Sequence, residues 1–358
     1  MQTTKFRLFK TIGIVIAVAA VFILPSAALA ADVYPSKPVR LIIPFPPGGS
    51  NDIVGRLIAA KLSERLGKQV VVDNRGGAGG VLGSEMASKA DPDGYTLLIA
   101  SAAYGFNPAL YKLPFDPMKS FLPVAKLGSG PNSLTVHPSV PANTVKELIA
   151  LLKAKPGQMI CGAAGIGSFQ HMGTELFKML TKTEFKIVQF KGGGPAMIDQ
   201  LGGHSQFSFG SLIQTIPHVQ SGKFRLLGTG GLKRITVLPN VPTIAETVPG
   251  YEATNWWGIV APAGTPAPVV GRLDKEIKTL LDSPDVQKLF EKEGADVDYL
   301  GPAEFAPFIE KEIAKWGKVV KEANIQVKSK QPAYRQAASS QPFRERRAAC
   351  RWMRPLCR

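Results

Sequence analysis

Hydrophobic and polar positions along this chain follow two periods that change places at regular intervals. Val39 to Phe45 is an apolar, β-rich run. Ile53 to Leu66 then carries apolar residues at Ile53, Val54, Leu57, Ile58, Leu62 and Leu66, a helical spacing stopped by Gly67. Gln69 to Val72 predicts a second strand. After the loop Gly76 to Gly80, the spacing predicts a helix over Val81–Ser88, and Thr96 to Ala100 reads as a third strand. Alternation of this kind predicts a parallel sheet with helices on both faces.

The same grammar then returns. Ser133 to Val136, Met159 to Cys161, Phe185 to Phe190, Gln206 to Phe209 and Phe224 to Gly228 read as strands. Between them, helices are predicted over Thr144 to Lys153, Met172 to Leu180 and Pro195 to Leu201, the first opened by a polar cap and the last by proline. Trp257 to Ala261 is a further apolar run, followed by helices over Val269–Leu281 and Ala303–Ala323. Those last helices need a sheet to pack on, and the first half offers one with few helices of its own. The expectation is an α/β protein of two lobes joined by two crossovers, near 122–132 and 253–260. Residues 31–131 and 254–327 form lobe 1, and 132–253 form lobe 2.

Strand-to-helix turns in such sheets lie at the carboxyl ends of the strands, where ligands bind. The first reads Phe45-Pro46-Pro47-Gly48-Gly49-Ser50-Asn51-Asp52. Two prolines stiffen the approach, two glycines let the backbone come close to a ligand, and Ser50 can cap the helix or donate to a carboxylate. A helix N-terminus offers unpaired N–H groups and about half a positive charge, so the stretch is built like an anion cradle. Read alone, it is more readily a capped turn that binds nothing, since such turns are common. Three further turns share its level: Ser101 to Asn107 with Tyr104, Gly162 to His171, and Lys191 to Pro195 with Gly192. Two glycine-bearing turns with serine at a helix start, one per lobe, suit a ligand with two acidic ends.

Other chemistries find no footing. The chain has no P-loop, no G-x-S-x-G elbow and only a partial dinucleotide fingerprint at Gly165 to Gln170. His137, His171, His204 and His218 show no metal spacing, and Cys161 is the single cysteine of the core, so neither a metal site nor a cofactor is expected. Capping or packing is the plainer role for His171, and interaction with the helix dipole the plainer one for Asp52. Trp256 and Trp257 are either core at the crossover or a wall of the cleft.

The two ends change the reading of charge. Lys5, Arg7 and Lys10 precede an apolar run from Ile12 to Leu24 and then Ala28-Leu29-Ala30. This is the pattern of a signal peptide cleaved after Ala30, which predicts export to the periplasm. No cysteine follows the run, which argues against a lipoprotein. From Lys328 the text has no apolar period and holds nine Lys and Arg against one Glu. That tail, 328–358, is predicted to be disordered and dispensable, and even translated out of frame. It carries +8 of the chain's +16, and the signal segment carries +3, leaving +5 for 31–327. The basic balance is therefore no nucleic-acid footprint.

At this point several stretches together resemble one family: "YPSKPVRLIIPFPPGGSND", "ADPDGYTLLIA", "NPALYKLPFDPMKSFLPVA", "HPSVPANTVKELIALLKAKPG" and "LPNVPTIAETVPGYEATNWWG". They are similar to the Bug-type extracytoplasmic solute receptors of tripartite tricarboxylate transporters. The similarity runs from about Tyr34 to Ile325. It implies a two-lobed type II periplasmic binding protein fold, a Venus flytrap with a mostly parallel sheet in each lobe. It implies a monomer that binds a small carboxylate and delivers it to integral-membrane permease subunits. It places the ligand against Phe45, Gly48, Gly49, Ser50, Asn51 and Asp52 in lobe 1 and Gly165, Gly167, Ser168, Phe169, Gln170 and His171 in lobe 2. Ser101, Tyr104, Asn107, Phe190, Gly192, Gly210 and Trp256 complete the expected site. Departures are visible. Asn51 stands where the family turn has threonine, Phe169 where it has a small hydroxyl, Phe190 where tyrosine is usual, and Gly210 where aspartate is common. Fewer hydroxyls and a new aromatic argue for a less polar ligand. Alternatives are a receptor subunit for a sensor kinase, and an exported enzyme acting on a carboxylate, for which the sequence shows no oriented nucleophile or base.

Overall fold

The computed structural model describes residues 34–322 except 293, together with Ile325; the expected signal peptide and basic tail lie outside the described residues. In chain order the first elements are β1 (Val39–Ile43), α1 (Ser50–Leu66), β2 (Val70–Asn74), α2 (Val81–Ser88), β3 (Thr96–Ser101) and α3 (Ala102–Leu110). A long strand, β4 (Phe121–Val136), leads to α4 (Val145–Ala154), β5 (Ile160–Ala163), α5 (Phe169–Thr181), β6 (Lys186–Gln189) and α6 (Gly193–Leu201). Then come β7 (Phe207–Ser211), α7 (Leu212–Gln220), β8 (Arg225–Thr229) and β9 (Thr254–Pro262). The chain closes with α8 (Ala267–Leu281), α9 (Pro284–Lys292), β10 (Asp296–Leu300) and α10 (Pro302–Glu322).

The strands run in the order β2-β1-β3-β9-β4-β7-β5-β6, with β8 and β10 also paired to β4. The outer strands are parallel in both lobes: β1 with β2 and β3, and β5 with β6 and β7. Toward the middle the sheet becomes antiparallel, because β4 and β9 cross between the lobes in opposite directions. β9 pairs with the first part of β4, from Phe121 to Pro131, whereas β7 and β8 pair with its last residues. The expected crossovers are two long paired strands.

Two apolar layers hold this sheet. Leu41, Ile43, Ile58, Leu62, Trp257 and Ile277 belong to one core beneath α1 and α8. Leu98, Phe106, Phe177, Phe209, Tyr251 and Trp316 belong to the other. The final helices pack on the first half of the chain, as expected. α8 meets α1 through Arg65 and Glu276 at 2.7 Å, and α10 meets α3 where Phe106 and Trp316 stack edge to face at 4.4 Å. The fold is the two-lobed type II binding-protein architecture, with its cleft at the carboxyl ends of the parallel strands.

Candidate functional site

The first turn differs from expectation in detail. α1 begins at Ser50, with Gly49 as its cap residue, and no side chain caps it. Asp52 instead turns back on the loop: its carboxylate accepts from the Gly48 N–H (3.0 Å), Arg56 (2.9 Å) and Asn74 (2.9 Å). Burial would raise its pKa, but these hydrogen bonds outweigh burial and hold the carboxyl below the ordinary 3.8. Asp52 therefore shapes the turn. The second-lobe turn does have a side-chain cap, because Ser168 Oγ accepts from the His171 N–H at 3.1 Å.

Between the lobes lies a cavity of about 40 Å³. Of the residues expected at the site, it brings together Phe45, Gly49, Ser50 and Asn51 from the first turn, Ser101 from the end of β3, and Ser168, Phe169 and Gln170 from the start of α5. Ala103, Ala164 and Gly193, from the turns expected at that level, also line it, together with Ser211, Gln214 and Asn255, which were not foreseen. The lining holds no charged side chain. In place of charge, five helices begin at its wall: α1, α3, α5, α6 and α7 each contribute a cap or first-turn residue. Each presents N–H groups without intrahelical partners and a partial positive charge.

A buried polar network fixes the lobe 1 wall. Trp257 Nε1 donates to Asn51 Oδ1 (3.0 Å), and Asn51 Nδ2 donates to Ser101 Oγ (3.2 Å). Asn255 Oδ1 accepts the Ala102 N–H at 3.1 Å. On the lobe 2 wall, Gln170 Nε2 donates to Gln214 Oε1 at 3.3 Å. Gly193 makes this pairing possible, since a Cβ there would sit 2.7 Å from Gln214 Oε1.

The remaining expected residues do other things. Gly48 and Gly192 sit at the contact between the lobes: a Cβ on Gly48 would lie 3.6 Å from the Gly194 Cα, and one on Gly192 would strike Pro46 at 2.9 Å. Gly167 has φ of 76°, and a Cβ there would meet the Tyr111 ring at 2.9 Å. Gly165, also left-handed, turns against the Phe190 carbonyl. Tyr104 donates to the Pro117 carbonyl (2.5 Å), and Asn107 to the Gly79 carbonyl (3.0 Å). His171 is buried outside the cavity lining, its Nδ1 facing the Gly167 N–H and its Nε2 3.4 Å from Glu175. Phe190 stands half-buried beside Gly162, and Gly210 packs against Thr215. Trp256 is core rather than cleft wall, donating to Glu312 (3.1 Å) and stacked on Phe305 and Phe308.

An uncharged cleft ringed by helix N-termini, set between two α/β lobes, defines a solute-binding protein. The model of the tripartite tricarboxylate transporter family receptor matches residues 54–325. The chain belongs to that family. It is 36% identical to Protein BugT of Bordetella pertussis over 326 residues, covering 90% of this chain and 99% of that protein. Among solved structures it is similar to R. palustris Rpa4515 with adipate (35% identity, TM-score 0.80, covering 82% of this chain and 99% of that one). It is also similar to the periplasmic binding protein BugD (32%, 0.79, 82% and 99%) and to MatC from Rhodopseudomonas palustris with bound malate (31%, 0.76, 80% and 100%). No helix among the described residues is long and apolar enough to cross a membrane.

Proposed function

We propose that this chain binds a small carboxylate in the interlobe cavity and passes it to the membrane permease subunits of a tripartite tricarboxylate transporter. The observation that carries the reading is the convergence of five helix N-termini on a buried cavity with no charged side chain in its lining. Such a site stabilises an anion through backbone N–H groups and dipoles. Ser50 and Ser101 add hydroxyls on one wall, and Ser168 and Ser211 on the other. The adipate and malate bound in two similar proteins support the same class of ligand.

An enzymatic reading has little to stand on. The lining contains no Asp, Glu, His, Cys, Lys or Tyr, so no side chain there can serve as base or activated nucleophile. The buried thiol of Cys161 is pushed up to about 12 by loss of solvent, which keeps it protonated.

The test is a thermal-shift screen of small carboxylates against the chain lacking residues 1–30, followed by titration calorimetry. A ligand at 100 times its Kd adds about 2.7 kcal/mol of stability, a rise of several degrees in the melting midpoint. If amines and neutral sugars shift the midpoint while no carboxylate does, the anion site is wrong. Delivery is tested by growth on the identified acid after deletion of this chain or of the permease.

A further inference from the structure

The lobe 2 wall of the cavity carries more information than the anion it helps to surround. Gln170 and Gln214 are both more than nine-tenths buried, on the first turns of α5 and α7. One amide hydrogen bond joins them. The Gln170 Oε1 is buried without a partner, and so is the Ser211 Oγ at the start of α7. The Gln214 Nε2 has only the Met197 sulfur, at 3.7 Å, a weak acceptor. In the assigned orientation the Gln214 N–H₂, rather than its carbonyl oxygen, faces that sulfur. The pair therefore offers the cavity a free carbonyl acceptor and an amide donor held only weakly, with a hydroxyl able to do either beside them.

A carboxylate accepts hydrogen bonds and donates none. Set against Gln170 Oε1, a second carboxylate would meet lone pairs, and only the helix dipoles, with no cationic side chain, would offset that repulsion. A carboxamide does the opposite: its N–H₂ donates to Gln170 Oε1 while its carbonyl accepts from Gln214 Nε2 or Ser211 Oγ. Building on the carboxylate reading above, we propose that the ligand is a monoanion. Its carboxylate lies among the N-termini of α1, α3 and α5, and its far end is a neutral carboxamide-like group read by Gln170, Gln214 and Ser211. Ionised dicarboxylates are then the disfavoured ligands of this site. The half-protonated form of a diacid mimics the amide, because its carboxyl has one donor and one acceptor.

The experiment compares matched probes by titration calorimetry at pH 8: succinate, glutarate and adipate against their monoamides, and against butyrate, valerate and hexanoate. The expected result is one chain length at which the monoamide binds at least about tenfold tighter than both the dianion and the methyl-ended acid. Affinity for the diacid should rise as the pH falls through its second ionisation, while affinity for the monoamide stays flat. Gln170→Met keeps the volume and removes the acceptor, and should erase the preference of amide over methyl end, with a melting midpoint taken to confirm folding. Should that variant be unfolded, the pH slope measured on the unaltered protein decides alone. A dianion that binds at pH 8 as tightly as its monoamide overturns the proposal and leaves the carboxylate reading intact. Failure of every carboxylate to bind overturns both.

Discussion

At the scale of single residues, the two turns that look alike in sequence are wired differently. Ser168 accepts from the His171 N–H, whereas the Ser50 hydroxyl caps nothing. Ser50→Ala should therefore leave the melting midpoint nearly unchanged. A hydrogen bond to a charged group is worth roughly 1.5–3 kcal/mol, so binding should weaken by about 10- to 150-fold. Ser168→Ala should lose affinity and in addition about 1 kcal/mol of stability from the lost cap. Calorimetry beside a melting curve separates the two, and equal stability losses in both variants would contradict the assignment. Asp52 gives a pH signature. Its carboxyl is held below the ordinary 3.8 in the folded protein, so its contribution is present above that value and is lost as pH falls through the lower, folded value. Asp52→Asn should flatten the fall of the melting midpoint below about pH 4. Parallel acid limbs for variant and parent would assign the loss to other carboxylates, of which Asp73, bound by Arg40 and Arg75, is the nearest candidate. The sequence exposed Ser50, Ser168 and their glycines because turn chemistry is local. It hid Gln214 and Asn255, which reach the cavity from segments whose own residues carry no turn signal.

At the scale of elements, strand–helix alternation was legible wherever a clean period survived, as in β1, α1, β3 and α5. It failed where prolines and glycines interrupt the period and tertiary packing overrides them. α3 contains Gly105 and Pro108, and α7 contains Pro217, so neither reads as a helix. β4 contains Pro123, Gly128, Gly130 and Pro131, yet it stays extended because β9 pairs along it, with register shifts beside Pro123 and before Gly128. Missing α3 and α7 meant missing two of the five N-termini at the cavity. The end of α3 also explains how the lobes meet. Tyr111, its C-terminal cap residue, donates its hydroxyl hydrogen to the Ile166 carbonyl of the other lobe at 2.8 Å. That contact joins the α3 segment of one lobe to the Gly165–Gly167 turn of the other. Tyr111→Phe removes a bond made between the lobes and worth roughly 0.5–1.5 kcal/mol. Ligand affinity should fall about two- to tenfold, with dissociation faster and association little changed. An unaltered dissociation rate in stopped-flow measurements would show that the contact does not hold the closed form.

At the scale of the whole molecule, the chain passes between the two lobes along β4 and β9, and the lobes touch again at the cleft mouth. There Gly48 faces Gly194 and Tyr111 reaches Ile166. The lobes are in contact across the mouth of the cleft, and the cavity of about 40 Å³ lies between them. The chain crosses between the lobes along β4 and β9, so opening should take the form of a hinge at that crossing, near Gly130 and Pro131. A ligand held by both walls binds the closed state better than the open one and shifts the population by that difference in affinity. Small-angle scattering should give a larger radius of gyration for the free protein than for the protein saturated with its acid. Tyr111→Phe should enlarge the free value further and leave the saturated value unchanged. Residues 328–358, which have no apolar period in sequence, lie outside the described residues. The comparison is therefore made on a chain ending at 327, whose melting midpoint should equal that of the longer chain. If the radius is the same with and without ligand, and the Tyr111 variant changes neither, the lobes do not hinge between an open and a closed state.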